Sequence, residues 1–266
     1  MKVALCLRGH MRTYVAASAY IEKLRKECEL DIFIHTWEDL GMLDLRNTPY
    51  HPNDPGTVNL QSGLIDVQHI QELYQPKKLV VEEYSSRRDE FEELANSFVE
   101  WFEQIKTDPT VGQPRMHSFM SQLYKESATI GIKDTYAEET GETYSIVIVT
   151  RPDVLLSIDT AIFDEISHTP DKIWVRKLEL SEFSSRGLLW VCNSFFAGTP
   201  EAIRKIQQTY PDILKIYEEL YLGWQITGHP NAYARMYCIH QLMHYQTLRT
   251  NITPVADLRL QATIVR

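Results

Sequence analysis

Two short apolar runs constrain the fold of this chain more than any other feature of its sequence. Val3–Leu7 is wholly apolar, and Ser145–Val149 is apolar after its first residue. Runs of this length are typical of strands buried on both faces, as the central strands of a parallel sheet are. A helical pattern follows the first run, and Asp31–Trp37 then has the composition of a second strand. This strand–helix–strand order predicts a wound α/β sheet flanked by helices.

The rest of the chain extends this pattern without a boundary between domains. Gly41–Gly63 is rich in Pro, Asn and Asp, which predicts a long loop. Pro200–Leu248 has helical periodicity with a break at Gly223–Asn231, so we expect a helical C-terminal third. Further strands are predicted at Lys78–Glu82, Lys172–Arg176 and Leu188–Cys192, and further helices at Asp66–Tyr74, Arg87–Lys106 and Ser118–Thr140. No repeat or linker is visible, so one domain over residues 1–266 is expected.

Composition and charge exclude several classes of protein. Hydrophobic residues make up 44% and charged residues 24% of the 266 residues, as in an ordinary globular protein. The formal net charge of −9 argues against a nucleic-acid-binding surface, which concentrates positive charge. The first apolar run is cut off by Arg8, and no stretch approaches the roughly 20 apolar residues of a membrane helix. The four cysteines have neither metal-ligand nor Cys-x-x-Cys spacing. We therefore expect a cytoplasmic protein without a membrane span, in at most peripheral contact with the membrane.

Charged residues follow the first predicted strand directly. Arg8, Gly9, His10 and Arg12 lie at its carboxyl end, where wound α/β sheets bind their ligands. Guanidinium groups make forked contacts with phosphate oxygens, so these arginines could hold a phosphate; the alternative is a pair of surface arginines near a turn. The Gly-x-Gly-x-x-Gly fingerprint is absent, which disfavours a Rossmann dehydrogenase. His35, at the end of the second strand, could support a base or a sugar ring, although the Trp beside it is as consistent with a core edge.

Three further segments carry polar side chains at predicted strand or helix ends. Arg151-Pro152-Asp153 follows the strongest strand, where a carboxylate could hold a divalent cation that bridges two phosphates. The alternative is that Asp153 caps a turn or pairs with Arg151. Asn193 begins a second segment, and its neighbour Thr199-Pro200-Glu201 has the pattern of a helix N-cap. His229 lies in the third segment, where it could contact a diphosphate or a metal; the alternative is an ordinary loop histidine.

Together these segments resemble a family of small bacterial and viral glycosyltransferases that build capsule, lipopolysaccharide and other surface glycans. The matching segments are Val3–Thr13, Asp31–Trp37, Ser121–Lys125, Tyr144–Asp153, Asn193–Gly198 and His229–Asn231. The resemblance implies a GT-A fold, which is a Rossmann-like mixed sheet, a nucleotide-sugar donor and usually Mn²⁺ or Mg²⁺.

The resemblance also implies roles for individual residues. GT-A enzymes carry an Asp-x-Asp motif at the end of a central strand, and Arg151-Pro152-Asp153 takes its place here. Asp153 would bind the metal, and Arg151 would place a positive charge where the motif has its first carboxylate. Arg8, Gly9 and Arg12 would line the nucleotide. The remaining residues assigned to the donor site are His35, Tyr124, Lys125, Asn193 and His229.

Two departures from the family pattern leave the catalytic base unassigned. Related sequences have an acidic residue at the position of Asn193 and His-Pro-Glu in place of His229–Asn231. An inverting transferase needs a carboxylate to take the acceptor proton, which asparagine cannot do. Another carboxylate could serve, such as Glu179, Glu182 or one in Asp39–Asp44, or the enzyme is retaining or has lost catalysis.

The expected function is that of a hexosyltransferase. It would move a sugar from a UDP- or GDP-linked donor to a hydroxyl of a glycan or glycolipid acceptor, assisted by Mn²⁺ or Mg²⁺. The alternatives are an inactive nucleotide- or glycan-binding protein on the same fold, or a transferase of a phosphoryl or nucleotidyl group.

Overall fold

A computed structural model describes residues 1–40, 63–105, 116–176, 194–219 and 239–264. The strands are β1 (Lys2–Arg8), β2 (Glu29–Trp37), β3 (Lys78–Glu82), β4 (Ile146–Thr150), β5 (Val154–Ile158), β6 (Lys172–Arg176), β7 (Phe195–Gly198), β8 (Thr253–Asp257) and β9 (Leu260–Ile264). The helices are α1 (Tyr14–Glu27), α2 (Val67–Tyr74), α3 (Ser85–Ile105), α4 (Met116–Thr140), α5 (Ile162–Ser167), α6 (Pro200–Gln207) and α7 (Ile239–Arg249). Residues 213–219 are also helical.

Seven of these strands form a mixed sheet in the order β3-β2-β1-β4-β7-β6-β8. β1 pairs in parallel with β2 and β4, and β2 pairs in parallel with β3. β7 is antiparallel to both of its neighbours, β4 and β6, whereas β8 is parallel to β6. β5 and β9 form a separate antiparallel pair. The α/β class with a helix-flanked mixed sheet is thus confirmed, and it is compatible with a Rossmann-like fold.

The centre of the sheet is buried on both faces, which explains the unbroken apolar runs of β1 and β4. Val3, Leu5 and Leu7 belong to a hydrophobic cluster with α1, α2 and α5. Ala4 and Cys6 point the opposite way, into a cluster with α3, α4, α6 and α7. Successive side chains of a strand face opposite sides, so a strand covered on both sides needs apolar residues throughout. No helix of the described ranges is both long enough and apolar enough to cross a membrane.

Local signals place several helix ends where the sequence predicts them. Asp66 caps α2 by accepting a hydrogen bond from the His69 amide at 2.9 Å. Thr199 caps α6, with its hydroxyl accepting from the Ala202 amide at 3.3 Å. Gly141 follows α4 with φ +71°, in the left-handed region that favours glycine after a helix.

The helical prediction for Pro200–Leu248 is confirmed at α6, residues 213–219 and α7, but it misses the strands on either side of this range. β7 precedes α6, and β8 and β9 follow α7. β8 contains Pro254 and polar residues and pairs with β6 alone at the sheet edge, where proline is tolerated and few side chains are buried. Its composition therefore lacks the apolar signal of a central strand. The predicted strand Leu188–Cys192 and the loop over residues 41–62 lie outside the described residues.

Candidate anion site at the sheet switch point

The order of the sheet reverses between β1 and β4. The chain runs outward from β1 to β2 and β3, and α3 and α4 then return it to β4 on the other side of β1. Open α/β sheets bind ligands beyond the carboxyl ends of the strands at such a switch point. Leu7 is paired with Thr150, so the two strands end side by side. The segments that follow them, residues 9–13 and 151–153, therefore border one crevice.

Two arginines from opposite sides of this crevice converge on one carboxylate. Arg151 donates from Nε to Asp153 Oδ1 at 2.8 Å and from Nη2 to Oδ2 at 2.5 Å. Arg12 places Nη1 at 3.8 Å from the same Oδ2. The Asp153 side chain is only 3% exposed, whereas those of Arg12 and Arg151 are 16% and 21% exposed. This switch-point cluster, defined as Arg12, Arg151 and Asp153, carries one net positive charge next to solvent.

The N-terminus of α1 opens beside the cluster. Thr13 is the N-cap residue, but its side chain makes no capping hydrogen bond, and the first turn contains no acidic residue. The Thr13 hydroxyl is buried and has no hydrogen-bond partner in the part of the chain that the structure describes. The first amides of a helix lack intrahelical acceptors and carry partial positive charge, so such an end favours anions. Gly9, with φ +93°, makes the turn that leads from β1 towards this helix.

A second group of polar side chains lies on the α4 face of the same strand ends. Arg8 and His35 are register neighbours on β1 and β2. Arg8 Nη2 lies 3.0 Å from Glu126 Oε2 on α4, and both side chains are at most 2% exposed. Burial raises the pKa of Glu126 to about 7, and the charge of Arg8 offsets part of that rise. Arg8 therefore pairs inside the protein, where a ligand in the crevice has no access to its guanidinium.

Lys125 is the centre of the neighbouring interactions on this face. Its ammonium donates to Glu82 Oε2 at 3.0 Å and to the Thr36 carbonyl at 3.1 Å. It also lies 3.2 Å from His35 Nε2 and 3.4 Å from the centre of the Trp37 ring. The side chain has no exposed surface. Because an ammonium has three donors, these contacts leave none for a donor substrate.

The charge states around Lys125 follow from burial and from the neighbouring charges. Burial and the charge of Lys125 lower the pKa of His35 to about 4, so this imidazole is neutral at pH 7. Burial lowers the pKa of Lys125 to about 8, against the effect of Glu82, and the ammonium is mostly charged. Burial alone would raise the pKa of Glu82, but hydrogen bonds from Arg87 and Lys125 outweigh it and lower the pKa to about 2. The group is therefore a carboxylate held by two cations, Lys125 and Arg87, beside a neutral histidine.

The structure thus divides the predicted site residues into two sets. Gly9, Arg12, Arg151 and Asp153 border the crevice. The others that the structure describes lie on the α4 face: Arg8, His35, Tyr124 and Lys125, with the Tyr124 hydroxyl 3.0 Å from Glu82 Oε2. Asn193 and His229 lie outside the described residues.

Sequence reasoning missed two acidic partners, Glu82 and Glu126. A signal for them exists in α4, where polar residues recur at intervals of four: Ser121, Lys125, Thr129 and Lys133. This stripe has the spacing of an exposed helix face, yet all four residues are buried. A polar stripe on a helix that must cover a sheet indicates a buried ionic network, and Glu126 lies next to it in sequence.

Comparisons with protein-family models, with curated proteins and with solved structures found no match to this chain.

Proposed function

We propose that this chain is a glycosyltransferase that binds the diphosphate of a nucleotide-sugar donor at the switch-point cluster. One observation supports this proposal above the others: Arg12 and Arg151 converge on Asp153 from two sides of the β1/β4 crevice. Two guanidinium groups at a helix N-terminus form a site for an anion with several oxygens, and a diphosphate is such an anion. The net charge of the whole chain is negative, so this local positive charge favours a small anionic ligand over a nucleic acid.

The chemistry of sugar transfer matches what the cluster offers. The bond between the anomeric carbon and the diphosphate oxygen breaks, and a bond to the acceptor hydroxyl oxygen forms. Negative charge builds on the departing diphosphate, where fixed guanidinium groups stabilise it in the transition state. Binding both substrates in one crevice adds the advantage of orientation. Arg12 and Arg151 would therefore act on the leaving group.

The acceptor proton also has a candidate destination at this edge of the sheet. His10 Nδ1 lies 3.1 Å from Asp39 Oδ1, and the two residues follow β1 and β2. The side chains are 25% and 42% exposed, so an acceptor can approach them. A carboxylate that holds one ring nitrogen of a histidine leaves the other nitrogen to accept a proton. Asp39 belongs to one of the acidic segments expected from the sequence, and His10 belongs to the polar group expected at the end of the first strand.

The first test is a thermal-shift panel of UDP, GDP, CDP, CMP and ADP, each with and without Mn²⁺. A ligand at a hundred times its Kd adds about 2.7 kcal/mol to the folded state, which is about 5 °C in Tm for a chain of this length. We expect one nucleoside diphosphate to raise Tm. Arg151→Gln should weaken binding of that nucleotide at least about tenfold, because the charge-assisted contacts of the guanidinium with the phosphates are lost.

Arg259→Gln is the matched control for this test. Arg259 forms the same kind of forked pair with Asp257, two residues away, at 2.9 and 2.7 Å. Its loss should leave nucleotide binding unchanged. Release of sugar from the matching donor, measured by product mass, then separates a transferase from a binding protein. Arrival of phosphorus on the acceptor would instead indicate phosphoryl or nucleotidyl transfer. A folded protein whose Tm no nucleotide changes would refute the proposal.

A further inference from the structure

The residues at the switch point do not fit the divalent cation that the glycosyltransferase resemblance implies. Both oxygens of Asp153 already accept from Arg151, and Arg12 lies 3.8 Å from one of them. A cation on Asp153 would have to share this carboxylate with two positive charges at close range. The position of the first motif carboxylate is occupied by Arg151 itself. The described ranges also contain no group of three or more histidine, cysteine or acidic side chains that could hold a metal ion.

We infer that Arg12 and Arg151 neutralise the donor diphosphate directly, that Asp153 is a positioning residue for both arginines, and that donor binding needs no divalent cation. This inference rests on the proposed function and concerns the same site. The positive charge that a metal would bring is already present on two side chains.

The geometry of the cluster explains how Asp153 acts. Its forked pair with Arg151 uses Nε and Nη2, so Nη1 of that guanidinium can donate to a ligand. The Nε of Arg12 is a buried donor without a hydrogen-bond partner among the described residues. A buried carboxylate that holds two arginines reduces the side-chain entropy that each would lose on binding. Asp153 therefore orients the arginines, and it also repels the diphosphate at close range.

The two roles of Asp153 predict opposite effects of Asp153→Asn. If Asp153 ligates a cation, the substitution removes a ligand and weakens nucleotide binding in Mn²⁺. If Asp153 positions the arginines, asparagine keeps one of the two contacts with Arg151, because its carbonyl oxygen accepts and its NH2 group does not, while one negative charge beside the phosphates disappears. Binding in EDTA should then be unchanged or tighter, by up to about tenfold, because the net charge of the cluster rises by one.

The experiment is calorimetric titration of the full chain with UDP and GDP, in EDTA and in MnCl₂. We expect the Kd of the nucleotide that binds to agree within about threefold between the two buffers. A threefold difference in Kd corresponds to less than about 1 kcal/mol of binding free energy. Arg12→Gln and Arg151→Gln should each raise this Kd at least about tenfold. Asp257→Asn changes the equivalent forked pair with Arg259 and should leave Kd unchanged, which makes it the matched control.

Each outcome decides between the possibilities. Binding in EDTA, with Asp153→Asn no weaker than the wild type, supports the inference. Binding only in Mn²⁺ overturns the inference and leaves the proposed function intact. Absence of binding in both buffers overturns both. The comparison of buffers uses the wild-type chain, so it decides the question even where Asp153→Asn does not fold.

Discussion

Replacing Glu126 by glutamine should stabilise the protein more at neutral pH than at acidic pH. The quantity compared is the free energy of unfolding of the variant minus that of the wild type. Glu126 is buried on α4 with its carboxylate 3.0 Å from Arg8. Taking a carboxylate out of water costs free energy, and one buried cation does not always repay that cost. Burial accordingly raises the pKa of Glu126 from its ordinary value of 4.5 to about 7, although Arg8 opposes the rise.

The sign and size of the effect follow from proton linkage. Between the two pKa values, the unfolded chain has lost the proton of Glu126 while the folded chain keeps it. Folding is then progressively disfavoured as pH rises from 4.5 to 7, and the full penalty is present above the folded pKa. Each unit of pKa corresponds to about 1.4 kcal/mol, so the penalty is about 3 kcal/mol. Glutamine is isosteric and neutral, and it removes this penalty.

The assay is urea unfolding of the wild type and Glu126→Gln across the range from acidic to weakly alkaline pH. The free energy of unfolding of the variant minus that of the wild type should rise by about 3 kcal/mol over this range. Taking the difference cancels the titration of other groups. Glu139→Gln, at a position on α4 whose side chain is 56% exposed, is the control and should give a flat difference. A flat difference for Glu126→Gln, or one that falls with pH because Arg8 lowers the pKa below 4.5, would refute the reasoning.

Three further predictions concern the strand ends and are each checked by urea unfolding. His35→Gln should reduce the loss of stability as pH falls from 6.5 towards 4, because the neutral buried imidazole resists a proton that the unfolded chain accepts; an unchanged acid limb would contradict this. Lys125→Met should cost about 2–4 kcal/mol, since it leaves the Glu82 carboxylate without its buried cation, and a cost below about 0.5 kcal/mol would show that Arg87 suffices. Gly9→Ala should cost about 1 kcal/mol of stability, because its φ of +93° is unfavourable for alanine and no atom lies within 4 Å of an added Cβ. Gly63 is equally open, so an equal cost for Gly63→Ala would exclude the backbone conformation of Gly9 as the cause.

Two central strands with both faces covered, β1 and β4, are predicted correctly from the sequence, whereas β7 is equally buried but too short to be predicted. β1 is buried from its second residue onward and β4 throughout, and both are apolar over the stretches Val3–Leu7 and Ile146–Val149. β3 is less buried, yet Leu79–Val81 is an apolar run bounded by polar residues, which is a strand signal. β5, β8 and β9 are different because they pair at edges or outside the main sheet. Their stability comes from partners distant in the chain, and a local pattern does not record such partners.

The candidate site could be located from the sequence, but its internal division could not. Polar residues that follow apolar strands identify the carboxyl edge of the sheet, and Arg12, Arg151 and Asp153 lie there. The direction of the Arg8 side chain was not predictable. Because β1 is apolar on both faces, its pattern does not distinguish the α1 side from the α4 side. Only the tertiary structure shows that Arg8 follows Ala4 and Cys6 towards α4 and pairs with Glu126.

We expect the two sets of charged residues to have different roles. Measurements of the free energy of unfolding and of nucleotide affinity distinguish these roles. Buried ion pairs contribute little net stability when compared with apolar residues, so the contacts of Arg8 and Lys125 matter chiefly because they tie the ends of β1, β2 and β3 to α4. The loop that carries Arg12 starts from one of these ends. Lys125→Met should therefore lower the free energy of unfolding and nucleotide affinity together. Arg12 is partly exposed, and Asp153 keeps its forked pair with Arg151 when Arg12 is replaced, so Arg12→Gln should lower affinity with little change in stability. A variant of Lys125 that loses stability but binds nucleotide as tightly as the wild type would show that the crevice keeps its shape without this layer.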